Sequence, residues 1–311
     1  MKVPVQRILI IRHGALGDIV LSFASFAGIR QAHPDAEISL LTTAPFAAWL
    51  SQAPWFTEVL IDAKPAPWNV PGVLRLRKQL VGHDLVVDLQ TSSRSSYYFR
   101  LAGSPPWSGI ARGCLYRHMN PRRDSIHTCE RLADQLSTVA IVPQPPNLSW
   151  LRSEFSISIP QRFIALVPGA APHRPKKRWP AEKFGALAAA LNMRLVILGT
   201  AHEQRLAREI LQHAPDSVDL TGRTTLADVS EVLARAAFAI GNDTGLMHLA
   251  TAFNVPSVVL FSLDSDPKLT APRYPDGHWP TVIRAQNLAD LPVDRVVAAI
   301  SGRHKHSSLT I

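Results

Sequence analysis

The chain has 311 residues, more than a single hydrophobic core usually sustains, so two domains of about 150 residues each are expected. Apolar residues make up 46% and charged residues 18%, which excludes a largely disordered chain. Lys and Arg number 33 against 24 Asp and Glu, and the net charge of +9 implies an anionic partner: a nucleic acid, a phosphorylated small molecule or an acidic membrane surface.

At the N-terminus, Arg7 is followed by only four apolar residues, 8–11, before Arg12, too short a run for a signal peptide. No later stretch approaches the roughly 18 to 20 apolar residues of a membrane span. A cytoplasmic protein is expected, able to touch the inner face of an anionic inner membrane through its basic surface. Residues 8–11 are short, branched and bounded by polar residues, which predicts a buried strand. Arg12-His13-Gly14-Ala15-Leu16-Gly17-Asp18 follows, and a helix is predicted over 18–31, where Ile19, Phe23, Phe26 and Ile29 fall within one broad apolar face. Gly14 and Gly17 in a strand-to-helix turn let the backbone approach an anionic or sugar ligand, and the helix N-terminus adds positive potential. The segment lacks the Gly-x-Gly-x-x-Gly of a dinucleotide site. Asp18 reads equally well as a helix N-cap and as a general base.

Runs at 38–41, 59–61 and 85–87 predict further strands, and their alternation with helical segments predicts a parallel sheet covered on both faces. Cys114 and Cys129 are too few for a disulfide scaffold or a four-ligand zinc site and read as reduced cytosolic thiols. Residues 141–160 carry Pro143, Pro145, Pro146 and Pro160 with no clear period, which predicts a linker and domains of 1–150 and 151–311.

The rhythm restarts with strands at 163–167, 195–198, 238–240 and 258–261, and helices at 181–191, 203–212 and 226–236. Ligands of such sheets lie outside the carboxyl ends of strands, so chemistry is expected in the loops after Ile11, Val167, Leu198 and Ile240. After Val167 the loop holds His173 and then Arg174, Lys176, Lys177 and Arg178, followed by Trp179-Pro180. A departing diphosphate needs such a cluster to meet its growing charge, and a solvated basic loop is the plainer reading. After Leu198 comes Gly199-Thr200-Ala201-His202-Glu203, where Glu203 either holds a ribose diol or is an ordinary first-turn acid. After Ile240 comes Gly241-Asn242-Asp243-Thr244-Gly245-Leu246-Met247-His248. Amides at Thr244, Gly245 and Leu246 suit an anion nest at a helix N-terminus. Asp243 reads as a partner of a sugar hydroxyl or as a cap, and His248 as a packed or capping residue.

Together these motifs resemble those of the bacterial heptosyltransferases, glycosyltransferase family 9, the inverting enzymes of the lipopolysaccharide inner core. The residues that carry the resemblance are Leu16-Gly17-Asp18, Lys177-Arg178-Trp179-Pro180, residues 199–203, Leu220-Thr221-Gly222-Arg223-Thr224 and residues 241–249. The resemblance implies an α/β fold of GT-B architecture, two Rossmann-like parallel-sheet domains facing across a cleft. The domain of residues 1–150 would take the acceptor and that of residues 151–311 the nucleotide-sugar donor, with the last helix free to pack back on the N-terminal domain. It implies ADP-heptose as donor, a substrate rather than a cofactor, and transfer without a metal. Asp18 would be the general base and Lys177 would contact the donor diphosphate. Glu203 would hold the ribose, the Thr224 backbone would lie near adenine, and Asp243, Thr244, Gly245, Leu246 and His248 would surround the diphosphate and sugar.

The sequence departs from the family where a Gln-Gly element usually follows the Val-Asp strand: here Asp88-Leu89-Gln90 runs into Thr91-Ser92-Ser93-Arg94. Residues 89–123 contain no Asp or Glu but six arginines, among them Arg94, Arg122 and Arg123. Such a stretch, with Gly14 and Gly17, suits an acceptor that is a phosphorylated, carboxylated glycolipid such as lipid A bearing Kdo sugars. The competing reading is a generic basic surface near a membrane. The expected activity is transfer of a heptose or related sugar from an ADP-sugar to a lipopolysaccharide core or related glycan. The alternatives are a GT-B-like nucleotide-sugar epimerase, which would need more acids than Asp18, and a noncatalytic nucleotide-sugar-binding protein. No helix-turn-helix, RRM or zinc pattern supports a nucleic-acid partner.

Overall fold

The computed structural model describes residues 5–170 and 175–307, without the side chains of Pro175 and of residues 302–307. Ala171, Pro172, His173 and Arg174 of the basic loop lie outside the described residues. The chain divides into two compact units, Met1–Trp150 and Leu151–Ile311, and the division falls inside the proline-rich segment.

The first unit holds strands β1 (Arg7–Ile11), β2 (Glu37–Thr42), β3 (Glu58–Ile61), β4 (Leu85–Asp88), β5 (Trp107–Gly109) and β6 (Tyr116–Arg117). Its helices are α1 (Leu16–Leu21), α2 (Phe23–Ala32), α3 (Ala44–Leu50), α4 (Val70–Leu80), α5 (Ser93–Leu101) and α6 (Thr128–Ser137). The strands form one sheet in the order β3-β2-β1-β4-β5-β6, every neighbouring pair parallel. Both faces of the central strands are covered, which is why Ile8, Leu9, Ile10 and Ile11 run as an unbroken apolar string with no exposed alternate. Trp150, the last residue of this unit, packs edge-on against Phe23 and tilted against Trp49, at ring distances of 5.9 and 5.4 Å.

The second unit repeats the plan with β7 (Ile164–Val167), β8 (Leu195–Ile197), β9 (Val218–Asp219), β10 (Phe238–Asn242), β11 (Ser257–Phe261) and β12 (Thr281–Arg284). Its helices are α7 (Ala181–Leu191), α8 (Gln204–Leu211), α9 (Leu226–Arg235), α10 (Gly245–Ala252), α11 (Pro267–Thr270) and α12 (Val293–Ser307). The sheet order is β12-β11-β10-β7-β8-β9, again all parallel. Counted from its own first strand, each unit therefore reads 3-2-1-4-5-6, the doubly wound order whose switch point lies between strands 1 and 4. The switch points are β1/β4 in the first unit and β7/β10 in the second. The expected α/β fold of two Rossmann-like parallel-sheet domains is the one observed. Val296 and Ile300 of α12 are buried in the second unit's own core, alongside Leu187 of α7.

Two expectations need correction. The helix predicted over 18–31 is two helices broken at Ser22. The Asp18 carbonyl is taken by the Arg12 guanidinium at 2.8 and 3.2 Å and by the Ser22 hydroxyl at 2.7 Å, and the Ser22 amide turns to Ile19 instead. Strands β5, β6, β9 and β12 were not predicted, because they are only two to four residues long and show no apolar run.

Candidate active site

In the first unit the chain leaves β1 through Arg12 and His13, both buried. Gly14 then takes φ +128, where only glycine is at ease, and a Cβ there would lie 2.7 Å from the Phe46 ring. Gly17 is buried inside the first turn of α1. Asp18 is not the N-cap of α1: Ala15 holds that place, and Asp18 sits three residues on. Its Oδ2 accepts the Ala15 amide at 3.2 Å, and its Oδ1 lies 3.3 Å from Nη2 of Arg12. The Asp18 side chain remains 43% exposed, so it is a fixed carboxylate with one open side. Arg12 also donates to the Leu89 carbonyl at 2.7 Å, tying the loop after β4 to the start of α1. Burial lowers the pKa of this guanidinium, and the Asp18 carboxylate opposes that shift.

Around this turn lie groups that sequence reasoning missed. His13 Nε2 is 2.9 Å from Oδ2 of buried Asp62, and the Tyr98 hydroxyl donates to the same oxygen at 2.7 Å. The Lys64 amide donates to Oδ1 at 2.7 Å. Burial alone would raise the Asp62 carboxyl, but the hydrogen bonds from His13, Tyr98 and Lys64 hold it below the usual range. Burial and Asp62 push the Tyr98 phenol up. The His13 amide donates to Gln90 Oε1 at 2.8 Å, so Gln90, at the point of departure from the family pattern, positions the β1 loop. Asp88 ends β4 fully buried, and burial pushes its carboxyl up to about 6 against the amides of Thr91 and Gln90. The only sequence signal for Asp62 and Asp88 is a carboxylate closing an apolar run.

The three predicted acceptor arginines differ in setting. Arg123 is largely buried and donates from Nη2 to Thr91 Oγ1 at 3.1 Å, beside the loop after β4. Arg94 is exposed on the first turn of α5, with Nη1 3.4 Å from the Pro65 carbonyl. Arg122 is exposed, and its amide bonds Asn120 Oδ1 at 2.8 Å. Arg131, which was not predicted, lies within electrostatic reach of Arg12, Asp18 and Arg123.

In the second unit the loop after β7 turns Lys177 inward. Its Nζ lies 2.5 Å from Oδ2 of Asp243, just past β10, and both side chains are nearly buried. Ser265 Oγ donates to the same oxygen at 2.7 Å. The solvated-loop reading therefore fails for Lys177 and holds for exposed Lys176. Asp243 is no cap: Thr244 is the N-cap of α10, and it makes no side-chain capping bond. The amides of Gly245 and Leu246 open α10, where first-turn N–H groups have no intrahelical acceptor. His248 is buried one turn further on. Asn242 clamps this corner, accepting the Trp179 amide at 3.0 Å and donating to the Pro168 carbonyl at 2.7 Å. Arg178 reaches the Ala170 carbonyl at 3.0 Å.

Glu203 closes the turn after β8, its Oε2 accepting the Thr200 amide at 2.8 Å and hydroxyl at 2.6 Å. The first-turn reading is thus met in a 3-10 turn, Ala201–Glu203. The side chain is also wedged between two glycines: a Cβ at Gly169 would lie 2.8 Å from Glu203 Cγ, and one at Gly199 2.9 Å from Glu203 Cβ. Gly222, at φ +69, donates to the Gly199 carbonyl at 2.9 Å, which joins the loop bearing Thr224 to the Glu203 turn. Lys177, Asp243, Gly245 and Leu246 thus meet at the β7/β10 switch point, with Glu203 and Thr224 on the adjoining loops. Among the described residues no group of three or more His, Cys, Asp or Glu is placed to hold a metal.

Residues 73–289 match the family model described as glycosyltransferase family 9 (heptosyltransferase). The chain is 27% identical over 304 residues to lipopolysaccharide heptosyltransferase 2 of Escherichia coli K12, covering 86% of this chain and 85% of that protein. Its fold is similar to that of a family 9 glycosyltransferase from Veillonella parvula, with a TM-score of 0.78, 19% identity and coverage of 97% and 98%. It is also similar to the E. coli heptosyltransferase WaaC solved with ADP-2-deoxy-2-fluoro heptose, with a TM-score of 0.77, 20% identity and coverage of 96% and 100%.

Proposed function

The chain belongs to glycosyltransferase family 9, the heptosyltransferases, and from that premise we propose that it transfers a heptose from ADP-heptose to a lipopolysaccharide core acceptor. The observation that carries the donor half is the Lys177–Asp243 pair at the β7/β10 switch point. Withdrawing two charges from water costs as much as their pairing returns, or more, so the pair is better explained by use than by stability. Asp243 takes one direction of the ammonium, whose remaining hydrogens face a diphosphate. With the first amides of α10 they neutralise the charge that grows on the leaving group as the sugar–phosphate bond breaks. Glu203 holds the ribose, the Thr224 backbone lies beside adenine, and Asp243, Thr244 and His248 border the sugar.

In the first unit Asp18 takes the proton of the attacking hydroxyl. The Ala15 amide and Arg12 fix its two oxygens while one side stays open to an acceptor. Positioning of this kind lets a carboxylate act as base although it is weak in water. Gly14, packed beside the Phe46 ring, and buried Gly17 shape the turn that presents Asp18 to the acceptor. Arg94, Arg122 and Arg123 supply cations for the phosphates and carboxylates of a lipid A acceptor bearing Kdo. The nucleotide sugar is a substrate, and this chemistry calls on no cofactor. Among the described residues no helix is long and apolar enough to cross a membrane, and the reading puts the enzyme in the cytoplasm, in peripheral contact with the membrane that carries its acceptor.

The test is release of ADP from ADP-heptose with and without a deacylated, Kdo-bearing acceptor. Release that requires the acceptor, with a heptosylated product, supports the reading. Conversion of the donor alone, or no release with the acceptor present, rejects it.

A further inference from the structure

One face of the first unit remains uncovered. Trp68 is 84% exposed, Val70 59%, Leu74 55%, and Tyr97 on the neighbouring α5 54%. Large apolar side chains this exposed, on α4, on the segment before it and on the helix packed against it, form a patch rather than scatter. The helical period explains how α4 carries it: Leu76 and Leu80 turn into the core, while Val70 and Leu74, one turn apart, leave it. Arg75, Arg77 and Lys78 stand exposed along the same helix. Arg94 of α5 reaches the Pro65 carbonyl at 3.4 Å, holding the segment that bears Trp68 against the helix that bears Tyr97.

Along α4, the segment before it and α5, the charge has one sign. Residues 63–83 contain no Asp or Glu, and neither do residues 89–123, which include α5. Of the carboxylates that flank this stretch, Asp62 is buried beneath Tyr98 and His13, and Asp84, exposed beyond the end of α4, accepts the amides of Gln6 and Arg7 with its Oδ2. A water-facing helix would normally mix charges of both signs. Exposed Trp and Tyr interleaved with cations suit the boundary of a bilayer, where an apolar ring enters the headgroup layer and Lys or Arg meets lipid phosphate.

The geometry points to α4, the segment 64–70 before it and Tyr97 as a docking face for an anionic lipid surface. Trp68, Val70, Leu74 and Tyr97 enter the headgroup layer, and Arg75, Arg77 and Lys78 bind its phosphates. This deepens the reading above, which needs the enzyme at a membrane-borne acceptor, but it is measured by binding alone.

The test is co-sedimentation of the full chain with vesicles of phosphatidylcholine and with vesicles of phosphatidylcholine and phosphatidylglycerol in equal parts. The wild type should pellet with the mixed vesicles, much less with the neutral ones, and be released by salt. Trp68→Ser with Leu74→Ser should lower the partition coefficient about tenfold or more. Arg75→Glu with Lys78→Glu should do the same, since each cation near such a surface is worth about fivefold. Both variants should keep the wild-type Tm and ADP affinity. Wild type that ignores the mixed vesicles, or variants that pellet like it, overturn the proposal. So does a dimer in solution that Trp68→Ser dissociates, because the patch is then covered by a second copy. Vesicle binding without heptose transfer defeats the function reading and leaves this one standing, while transfer without vesicle binding does the reverse.

Discussion

Lys177 and Asp243 are each other's main compensation for leaving water, and Ser265 is the only neutral group between the carboxylate and an unpaired state among the contacts described. In the proposed function, removing the lysine therefore does two things: it strips a charge-assisted contact from the diphosphate and leaves a carboxylate that repels it. Lys177→Ala should weaken ADP binding or slow transfer by roughly 10²-fold. Calorimetry with unchanged ADP affinity, together with unchanged turnover, rejects the assignment. Asp88 gives a prediction in pH. An acid whose pKa is about 6 when folded, against about 4 when unfolded, binds more protons in the native state across that window. Its contribution to stability therefore falls as pH rises through it. Asp88→Asn cannot ionise and keeps an oxygen for the Gln90 and Thr91 amides. Its stability relative to wild type should improve between about pH 4 and 6, by up to about 3 kcal/mol, and level off above. A stability difference that ignores pH contradicts the assignment. Asp62 works in the opposite window: held below the usual range, it adds stability that is lost as pH falls below about 4.

At the scale of elements, the switch points depend on strands that approach closely. A Cβ at Gly241 would lie 2.6 Å from the Val167 carbonyl and 2.7 Å from Val167 Cβ, and backbone paired in a sheet cannot step aside. Gly241→Ala should destabilise the chain by about 1–3 kcal/mol and displace Asp243, two residues on, so ADP affinity should fall as well. A Tm and an ADP affinity equal to wild type would show that β7 and β10 tolerate the methyl. The central strands were legible in sequence because they are covered on both faces and so read as short apolar runs, as in residues 8–11 and 258–261. The edge strands β6 and β9 were not, since Tyr116–Arg117 and Val218–Asp219 are two residues long and hold no apolar run. The break at Ser22 was also hidden, because its cause is the Arg12 guanidinium, which comes from outside the helix. The loops proposed to hold the donor were legible because glycines and cations stand side by side in the chain, whereas His13, Asp62 and Tyr98 meet only after three separate elements have packed.

At the scale of the whole molecule, one topology occurs twice, and the proposed function gives its two copies two kinds of chemistry. Each unit winds its sheet in the same order and leaves its functional candidates at the switch point, the place where the loops of that order diverge. The first unit brings a half-exposed carboxylate and the buried Arg12 guanidinium there, and the second a buried lysine, its carboxylate partner and the start of a helix. That division suits activation of an acceptor hydroxyl on one unit and binding of a nucleotide sugar on the other. The measurement that tests it most directly is the turnover of Asp18→Asn with saturating ADP-heptose, on a preparation whose Tm and ADP affinity match wild type. Asn keeps an oxygen for the Ala15 amide, so a residue that only closes the first turn of α1 would be replaced with little loss. The account predicts intact folding and ADP binding with turnover lowered by about 10² to 10⁴-fold. Turnover within about threefold of wild type, far short of what loss of a general base costs, would contradict it.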